Sequence, residues 1–425
     1  MKQKLSNPLL NRLAETYARL VLAVGVHDTD YVDAFYGPAE WKEKATAERL
    51  PLEIIRKKGL GAIAELKTVE TGRLDEPSRH RHTYLTKQLQ ALVARAEILS
   101  GTKLTFDEES RLLYDAVAPA HTEEHFRETL EELGKLLSGK GSVQERHEEF
   151  KKHFIIPKEK LDRVFTAAVD ESRKRTKLRI ALPENENFTI EYVKGKSWSG
   201  YNWYKGKSHS LIQINTDLPI YIDRAVDLAS HEGYPGHHVY NTLLEQNLVV
   251  QRKWLEFSVY ALFSPQSLIA EGTANYGIDM AFPSDERVAF ERATLFPLAG
   301  LEEKEAERYY AVHSVVQKLG YAGNEAARKY LDGTITREEA IRWLTEYALM
   351  TPERAEQRTR FFDQYRSYVI NYNLGQDLVK KYIESRAGAD DLEKRWGEFA
   401  RLLSTPIVPS GLLKTPAASP LKRGF

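Results

Sequence analysis

Helical periodicity over the first 180 residues constrains the fold of this chain more than any other feature of its sequence. In "RHTYLTKQLQALVARAEILSG" the apolar positions recur at steps of three and four residues, namely Leu85, Leu89, Leu92 and Ala96. Gly101 closes that pattern, and Thr122 is placed to cap the next helix, "EEHFRETLEELGKL". Residues 1–180 are therefore predicted to form an N-terminal helical lobe.

A change of pattern after residue 181 predicts a small sheet. Phe188, Ile190 and Tyr192 alternate with polar or smaller residues, which is the two-residue period of a strand. Two further short runs follow, separated by "KGKSWSG" and "KGKSH". We expect a small antiparallel β-sheet over residues 188–215, next to the helix that follows it.

Helices are predicted again after the sheet, so the fold class is mainly α. One helix should cover 219–246, and Ser264 and Pro265 should begin another over 265–281. Together with the sheet and further C-terminal helices they form a second region, 181–404. The stretch 405–425 is rich in Pro and Ser and is predicted to be an extended or disordered tail.

Charge and cysteine content narrow the classes of function. Lys+Arg and Asp+Glu are both 61, which gives no reason to expect nucleic acid or an anionic membrane as a partner. No apolar run approaches the roughly 20 residues that cross a bilayer. Polar and charged residues near the N-terminus interrupt any apolar core of a signal peptide, so we expect a cytoplasmic protein. The chain has 0 cysteines, so any metal must be bound by His, Asp or Glu.

The segment "DLASHEGYPGHHVYNTLLEQ" carries the strongest indication of chemistry. His231 followed by Glu232 can supply a metal ligand and a general base from one helical turn. In the usual H-E-x-x-H spacing the second His lies four residues after the first, but that position is Pro235. A straight helix therefore gives no second ligand.

The next two histidines, His237 and His238, are both candidates for the missing ligand. On a regular helix His237 would lie about 240° around from His231, whereas His238 would share its face but lie about 10.5 Å farther along. Pro235 and Gly236 favour a kink, and such a kink could return His237 to the metal. The spacing leaves the choice between the two histidines open.

Two acidic residues complete the predicted site. Glu271 follows His231 by 40 residues, on a neighbouring helix, and fits a third ligand. Asp227 precedes His231 by one helical turn and is predicted to accept the second ring N–H of that histidine. Each of these residues has an ordinary structural explanation when taken singly, but the cluster as a whole favours a metal site.

Two motifs together resemble a known family. "HEGYPGHH" and the later "AEGTANYG" resemble the H-E-x-x-P-G-H-H and A-E-G-W-A-x-Y signatures of the bacterial family called domain of unknown function 885, and "VGVHDTDYVDAFYGP" also looks like a family segment. The resemblance covers most of the chain. That family is similar to zinc metallopeptidases of the gluzincin type, which implies a helical zincin-like fold related to thimet-like oligopeptidases and carboxypeptidase Taq.

The resemblance also implies roles for individual residues. It implies one zinc ion per chain at His231, at His237 or its neighbour His238, and at Glu271, with Glu232 as the general base. His237 is the predicted second histidine ligand.

A C-terminal segment adds one catalytic candidate. "YNLGQDLVKKYIE" resembles the family's Y-x-x-G segment, which makes Tyr372 a candidate donor to the oxyanion; packing on a helix face is the alternative. Two departures from the family pattern bear on the substrate pocket. Thr273 replaces the usual Trp, and "RSY" at 366–368 replaces a usual Pro-Gly-Gln.

The sequence thus predicts a zinc-dependent metallopeptidase that cleaves short peptides, of carboxypeptidase or oligopeptidase type. An edge strand within 188–215 is expected to bind the peptide backbone. Five basic residues near the hairpin turns either hold a substrate carboxylate or form a solvated rim: Lys194, Lys196, Lys205, Lys207 and His209. The alternatives are a metallohydrolase acting on a non-peptide amide or ester, and a non-enzymatic helical binding protein with a vestigial site. The oligomeric state is left open.

Overall fold

A computed structural model describes residues 7–413, and the predicted mainly α-helical fold is confirmed. Within that range the helices before residue 180 are α1 Pro8–Gly25, α2 Ala39–Glu48, α3 Leu52–Leu66, α4 Glu76–Leu99, α5 Phe106–Tyr114, α6 Glu123–Leu136, α7 Val143–Lys152 and α8 Leu161–Lys177. The later described helices are α9 Asp223–Leu228, α10 His237–Leu244, α11 Pro265–Ala281, α12 Ser284–Phe290, α13 Phe296–Ala299, α14 Ala306–Gln317, α15 Ala322–Leu331, α16 Arg337–Tyr347, α17 Pro352–Tyr365, α18 Ile370–Ala387, α19 Leu392–Leu403 and α20 Pro409–Leu412.

Local sequence signals account for several helix ends. The side chain of Thr122 accepts a hydrogen bond from the backbone N–H of His125, as expected of an N-cap. Gly101 follows α4 with φ +100°, a left-handed conformation that glycine adopts without a steric penalty. The two predicted boundaries therefore hold.

The small sheet is present, but it is mixed and not purely antiparallel as predicted. Its strands are β2 Asn187–Val193, β3 Gly200–Gly206 and β4 His209–Asn215, in the order β2-β4-β3. A tight hairpin joins β3 to β4 in antiparallel pairing, whereas β2 pairs with β4 in parallel. The connection 194–199 carries the chain across β4 before β3 begins. Alternation of residues fixes which face is buried but not which strand is the neighbour.

A second sheet, which the sequence did not predict, ties the N-terminal part of the chain to its middle. Strand β1, Val32–Phe35, pairs in antiparallel fashion with β5, Val259–Ala261. Both strands are short, and β5 is entirely buried. This pairing brings Asp33 of β1 to the wall of the cavity described below.

Helices α11 and α18 pack in direct backbone contact. A Cβ atom added to Gly272 would lie 2.4 Å from the carbonyl oxygen of Gly375, and one added to Gly375 would lie 2.8 Å from that of Leu268. No side chain larger than hydrogen fits at either glycine without moving the helices apart. The contact fixes Glu271 of α11 relative to the residues of α18.

The described core is continuous from α1 to α20, and the predicted lobe boundary at residue 180 stays a prediction. Of the predicted tail 405–425, the part from 414 lies outside the described residues. The part 405–413 is packed instead of extended, because Ile407, Val408 and Leu412 are apolar and buried. Across residues 7–413 no helix is both long enough and apolar enough to span a membrane.

Candidate metal centre

The helix that carries the His-Glu pair is broken where the sequence predicted a kink. Helix α9 continues into a π-helical turn, Ala229–Gly233, which holds both residues of the pair. Tyr234 then leaves helical geometry with φ −120° and ψ 113°, as expected of a residue before proline. The Tyr234–Pro235 peptide bond is cis, and α10 begins two residues later.

Gly236 is the residue that lets the two helical segments fold against each other. A Cβ atom at this position would lie 1.9 Å from the carbonyl oxygen of His231 and 2.4 Å from that of Ser230. Any other residue would therefore clash with the backbone of the π-helical turn. The close approach places His237, the first residue of α10, beside His231.

Three side chains converge in the structure, as the sequence predicted for His231, His237 and Glu271. The two Nε2 atoms lie 3.1 Å apart, and Glu271 Oε2 lies 3.2 Å from His231 Nε2 and 3.7 Å from His237 Nε2. Glu271 Oε2 is buried and makes no hydrogen bond with any described residue. Two imidazole nitrogens and one carboxylate oxygen facing a common point can hold a metal ion.

His238 lies outside this cluster. Its ring is buried between β4 and the segment before β2, with Nδ1 2.9 Å from Ser210 Oγ and Nε2 3.1 Å from Glu186 Oε2. The same Glu186 oxygen accepts a hydrogen bond from Tyr234. His238 therefore joins a buried hydrogen-bond network behind the kink, and the geometry separates it from the neighbouring His237.

Asn275 orients the first histidine, a residue that the sequence analysis missed. Its Oδ1 lies 2.9 Å from His231 Nδ1, so that Nδ1–H donates and the Nε2 lone pair faces the cluster. Its Nδ2 donates to the carbonyl oxygen of Tyr372 at 3.1 Å. Asn275 follows Glu271 by one helical turn on α11, and this spacing was the available sequence signal.

The predicted contact between Asp227 and His231 is wrong. Asp227 instead accepts from Arg224 at 2.9 Å and pairs with Arg287 at 2.8 Å. The chain passes from α-helical to π-helical geometry between the two residues, so the four-residue spacing no longer places them on one face.

Tyr368 supports the carboxylate of the cluster. Its hydroxyl donates to Glu271 Oε1 at 2.7 Å, which leaves the other carboxylate oxygen for the two histidines. Burial and the adjacent charge of Glu271 raise the pKa of Tyr368 well above its ordinary value, so the hydroxyl stays a donor. Tyr368 belongs to the "RSY" stretch at which the sequence departs from the family pattern.

Glu232, the predicted general base, is buried beside the cluster. Burial raises the pKa of its carboxyl group. The backbone carbonyl of Glu232 accepts a hydrogen bond from Asn202 Nδ2 at 2.7 Å, which fixes the π-helical turn against β3. A Cβ atom on Gly200 would lie 2.9 Å from Glu232 Oε1, so the absent side chain leaves room for the carboxylate.

His237 and Glu271 polarise each other strongly. Burial lowers the pKa of His237, but the negative charge of Glu271, whose Oε2 lies 3.7 Å from His237 Nε2, outweighs burial and raises that pKa to about 9. Burial likewise acts to raise the pKa of Glu271, and the two histidines hold it far below its ordinary range. A bound cation and the proton on His237 would therefore compete for the same place.

A cavity of about 570 Å³ contains all the predicted site residues. The cluster, Glu232 and Tyr372 of α18 all line it, and the ring centroid of Tyr372 lies 5.8 Å from that of Tyr368. The five basic residues of the hairpin region are exposed, and none of them lines this cavity: Lys194, Lys196, Lys205, Lys207 and His209. That volume suits a short peptide or another small substrate.

Comparison with known proteins shows the fold alone. No protein-family model matches the chain, and no curated protein matches it in sequence. A Colwellia psychrerythraea protein described provisionally as a lipoprotein is 16% identical, with a TM-score of 0.50 over 88% of this chain and 71% of its own. BsuCP is 12% identical, with a TM-score of 0.48 over 94% of this chain and 88% of its own. An M32 carboxypeptidase from Deinococcus radiodurans is 13% identical, with a TM-score of 0.41 over 96% of this chain and 94% of its own. The chain thus shares its overall helical architecture with the Colwellia protein.

Proposed function

We propose that the protein is a zinc-dependent hydrolase and that its substrates are short peptides. One observation carries the proposal: His231, His237 and Glu271 converge beside a buried Glu232 in a cavity large enough for a peptide. Three ligands of this kind with a free fourth position are typical of catalytic zinc, whereas structural sites are closed by four protein ligands. A carboxylate beside the site has no role in a purely structural site.

The residues divide the reaction between them. Zinc bound at this cluster would act as a Lewis acid and lower the pKa of a coordinated water to about 7. Glu232 takes the proton of the attacking water and returns it to the nitrogen of the leaving amine as the C–N bond breaks. Tyr372 donates a hydrogen bond to the carbonyl oxygen as negative charge develops there.

The position of β3 supports a peptide as the substrate. It is an edge strand of its sheet, and its residues Gly200 and Tyr201, with the preceding Ser199, line the same cavity as Glu232. An extended peptide can pair with such an edge through main-chain hydrogen bonds, which do not depend on its side chains. Non-peptide amides and esters lack that repeating backbone.

Metal content tests the ligand set. Protein purified without an affinity-metal step is analysed by mass spectrometry, together with His231→Ala, His237→Ala, His238→Ala and Glu271→Ala. We expect about one zinc per chain in the wild type, as a mononuclear site requires, and its loss in every variant except His238→Ala. A wild type that carries no zinc and takes up none on addition would refute the proposal.

Activity tests the role of Glu232. The Glu232→Gln variant should keep its zinc but lose hydrolysis of a peptide library by about 100-fold or more, the usual contribution of a general base. Small amides and esters serve as comparison substrates. Hydrolysis of those compounds in preference to peptides, or full activity of Glu232→Gln, would contradict the mechanism.

A further inference from the structure

Two arginines of α17 face the metal cavity without a carboxylate partner. Arg354 and Arg358 are one helical turn apart, and both line the cavity. Among residues 7–413, neither forms a salt bridge. Two like charges at this spacing destabilise a helix slightly, so the pair is not explained by the stability of α17.

The guanidinium of Arg358 lies against two neighbouring aromatic rings. Its Cζ lies 4.5 Å from the ring centroid of Phe361 and 5.7 Å from that of Tyr372. Its Nε is buried and has no hydrogen-bond partner in the described part of the chain. Burial lowers the pKa of Arg358, as expected when lost hydration is not replaced by a carboxylate. The rings hold the cation in place and leave its donors unused.

Arg354 lies where the metal cavity meets a second cavity of about 930 Å³. Its side chain makes one hydrogen bond among the described residues, a long one of 3.4 Å to the carbonyl oxygen of Pro219. Burial first, and then the like charge of Arg224, lower the pKa of Arg354. Lys151 lines the same second cavity, with its Nζ 4.1 Å from the ring centroid of Tyr221 and no salt bridge in residues 7–413.

The nearby acidic groups are engaged elsewhere. Asp227 is paired with Arg224 and Arg287, and Asp33 accepts a hydrogen bond from Tyr201. Asp223 accepts a hydrogen bond from Tyr309, and its charge acts on Lys151 and Arg354 without a salt bridge to either. Cations removed from water are costly unless an anion or hydrogen bonds replace their hydration. Arg354 and Arg358 are two cations on the cavity that no described carboxylate pairs with in a salt bridge, so an occupant with two negative charges fits best.

We infer that this cationic end of the cavity binds the C-terminus of an acidic peptide. Arg358 binds the terminal carboxylate, and Arg354 binds the side-chain carboxylate of a terminal Asp or Glu. Because Arg358 lies beside Tyr372, the proposed donor to the oxyanion, a carboxylate bound by Arg358 puts the bond next to the terminal residue, about 3.6 Å away along the chain, on the side of that donor. This inference rests on the proposed function and refines it to a carboxypeptidase specific for acidic C-terminal residues.

Binding to an inactive protein tests the inference without hydrolysis. Zinc-loaded Glu232→Gln is titrated with three fluorescent peptides that end in Glu with a free carboxylate, in Gln with a free carboxylate, and in Glu amide. We expect the tightest binding for the first, and about 10-fold or greater losses for each of the others, the range of a hydrogen bond to a charged group. Equal affinity for all three peptides would overturn the inference.

Substitutions in the same background assign the two contacts. Arg358→Gln should weaken binding of both free-carboxylate peptides by about 10- to 100-fold and bring the Glu-ending peptide to the affinity of the Glu amide, whose side-chain carboxylate Arg354 still binds. Arg358→Lys, which keeps the charge, should recover part of that loss. Arg354→Gln should instead reduce the ratio between the Glu-ending and Gln-ending peptides towards one.

Arg292→Gln is the matched control, since Arg292 is half exposed, pairs with Glu307 and lines none of the cavities described. It removes the same charge and should leave all three affinities unchanged. Loss of affinity in this control equal to that in Arg358→Gln would show a general charge effect and overturn the assignment.

The two proposals fail in different ways. If the wild type hydrolyses no peptide but Glu232→Gln still prefers the free acidic terminus, the proposed hydrolase function is wrong and the cationic end stands as a binding site. If peptides are hydrolysed at internal bonds and amidation of the terminus has no effect on kcat/KM, the hydrolase stands and the cationic end does not bind the terminus.

Discussion

At the scale of single residues, Asn275 connects the proposed metal ligand to the proposed oxyanion donor. It accepts from the ring of His231 and donates to the backbone of Tyr372. One amide therefore fixes both the tautomer of the histidine and the position of the helix that carries the tyrosine.

Asn275→Ala is expected to weaken zinc binding by about 10- to 100-fold, the range for loss of a partner that orients a ligating histidine. The measurement is a competitive titration against a chelator of known affinity. Asp227→Asn provides the comparison, because Asp227 makes no contact with His231 and should bind zinc as the wild type does. Equal losses in both variants would contradict the assignment.

His238→Ala should reduce stability and leave zinc in place. The substitution removes the buried partner of Glu186 and Ser210, and an unsatisfied buried polar group costs about 1–3 kcal/mol. Urea unfolding of the zinc-loaded protein measures the change. A variant as stable as the wild type, or one that has lost zinc, would show that the ring serves another purpose.

The sequence predicted His231, Glu232 and Glu271 as one site because each residue type has a known place in zinc chemistry and the helical spacing is readable. It could not decide between His237 and His238, since a π-helical turn and a Pro-Gly kink together set the rotation of α10. Tyr368 was missed for a different reason. Tyr368 contacts Glu271, 97 residues away in the sequence, and no local spacing pattern predicts a contact over that distance.

At the scale of elements, the kink between α9 and α10 determines the site. Gly236→Ala should lower the free energy of unfolding by more than about 2 kcal/mol, because the added methyl group would overlap the carbonyl oxygen of His231. The displacement should also reduce zinc content. Gly397→Ala, in the exposed interior of α19 with open space around it, should instead stabilise the protein by about 0.5–1 kcal/mol.

Chemical unfolding and metal analysis of the two glycine variants give the readout. The prediction fails if Gly236→Ala is as stable as the wild type and keeps its zinc.

The sheet shows how far elements can be predicted from sequence. Alternation in residues 188–192 correctly indicated a strand, but the pairing of β2 with β4 depends on the path of the connection 194–199.

At the scale of the whole molecule, the cluster couples stability to pH. The pKa of His237 in the folded metal-free protein is about 9, above the ordinary value of 6.5. The proton on His237 therefore stabilises the fold fully below about pH 6.5, and this contribution is lost as the pH rises to about 9. Zinc at the same place would remove the proton and supply the positive charge in its stead.

Thermal unfolding from pH 6 to pH 9.5 should thus show a falling Tm with chelator and a higher Tm with zinc that changes less over this interval. His237→Gln should remove most of the pH dependence of the metal-free protein. A metal-free Tm that rises over the same interval would contradict the sign of the coupling.

The backbone contact between Gly272 and Gly375 has a consequence for motion. Helices that touch through their main chains cannot slide past each other without opening a gap, so Glu271 on α11 and Tyr372 on α18 should keep a constant separation when substrate binds. Rearrangement on binding substrate should be confined to α17 and the neighbouring loops. Amide exchange would then be slow at the glycine pair with or without substrate, and would change on binding only along α17, which carries Arg354 and Arg358, and in the neighbouring loops.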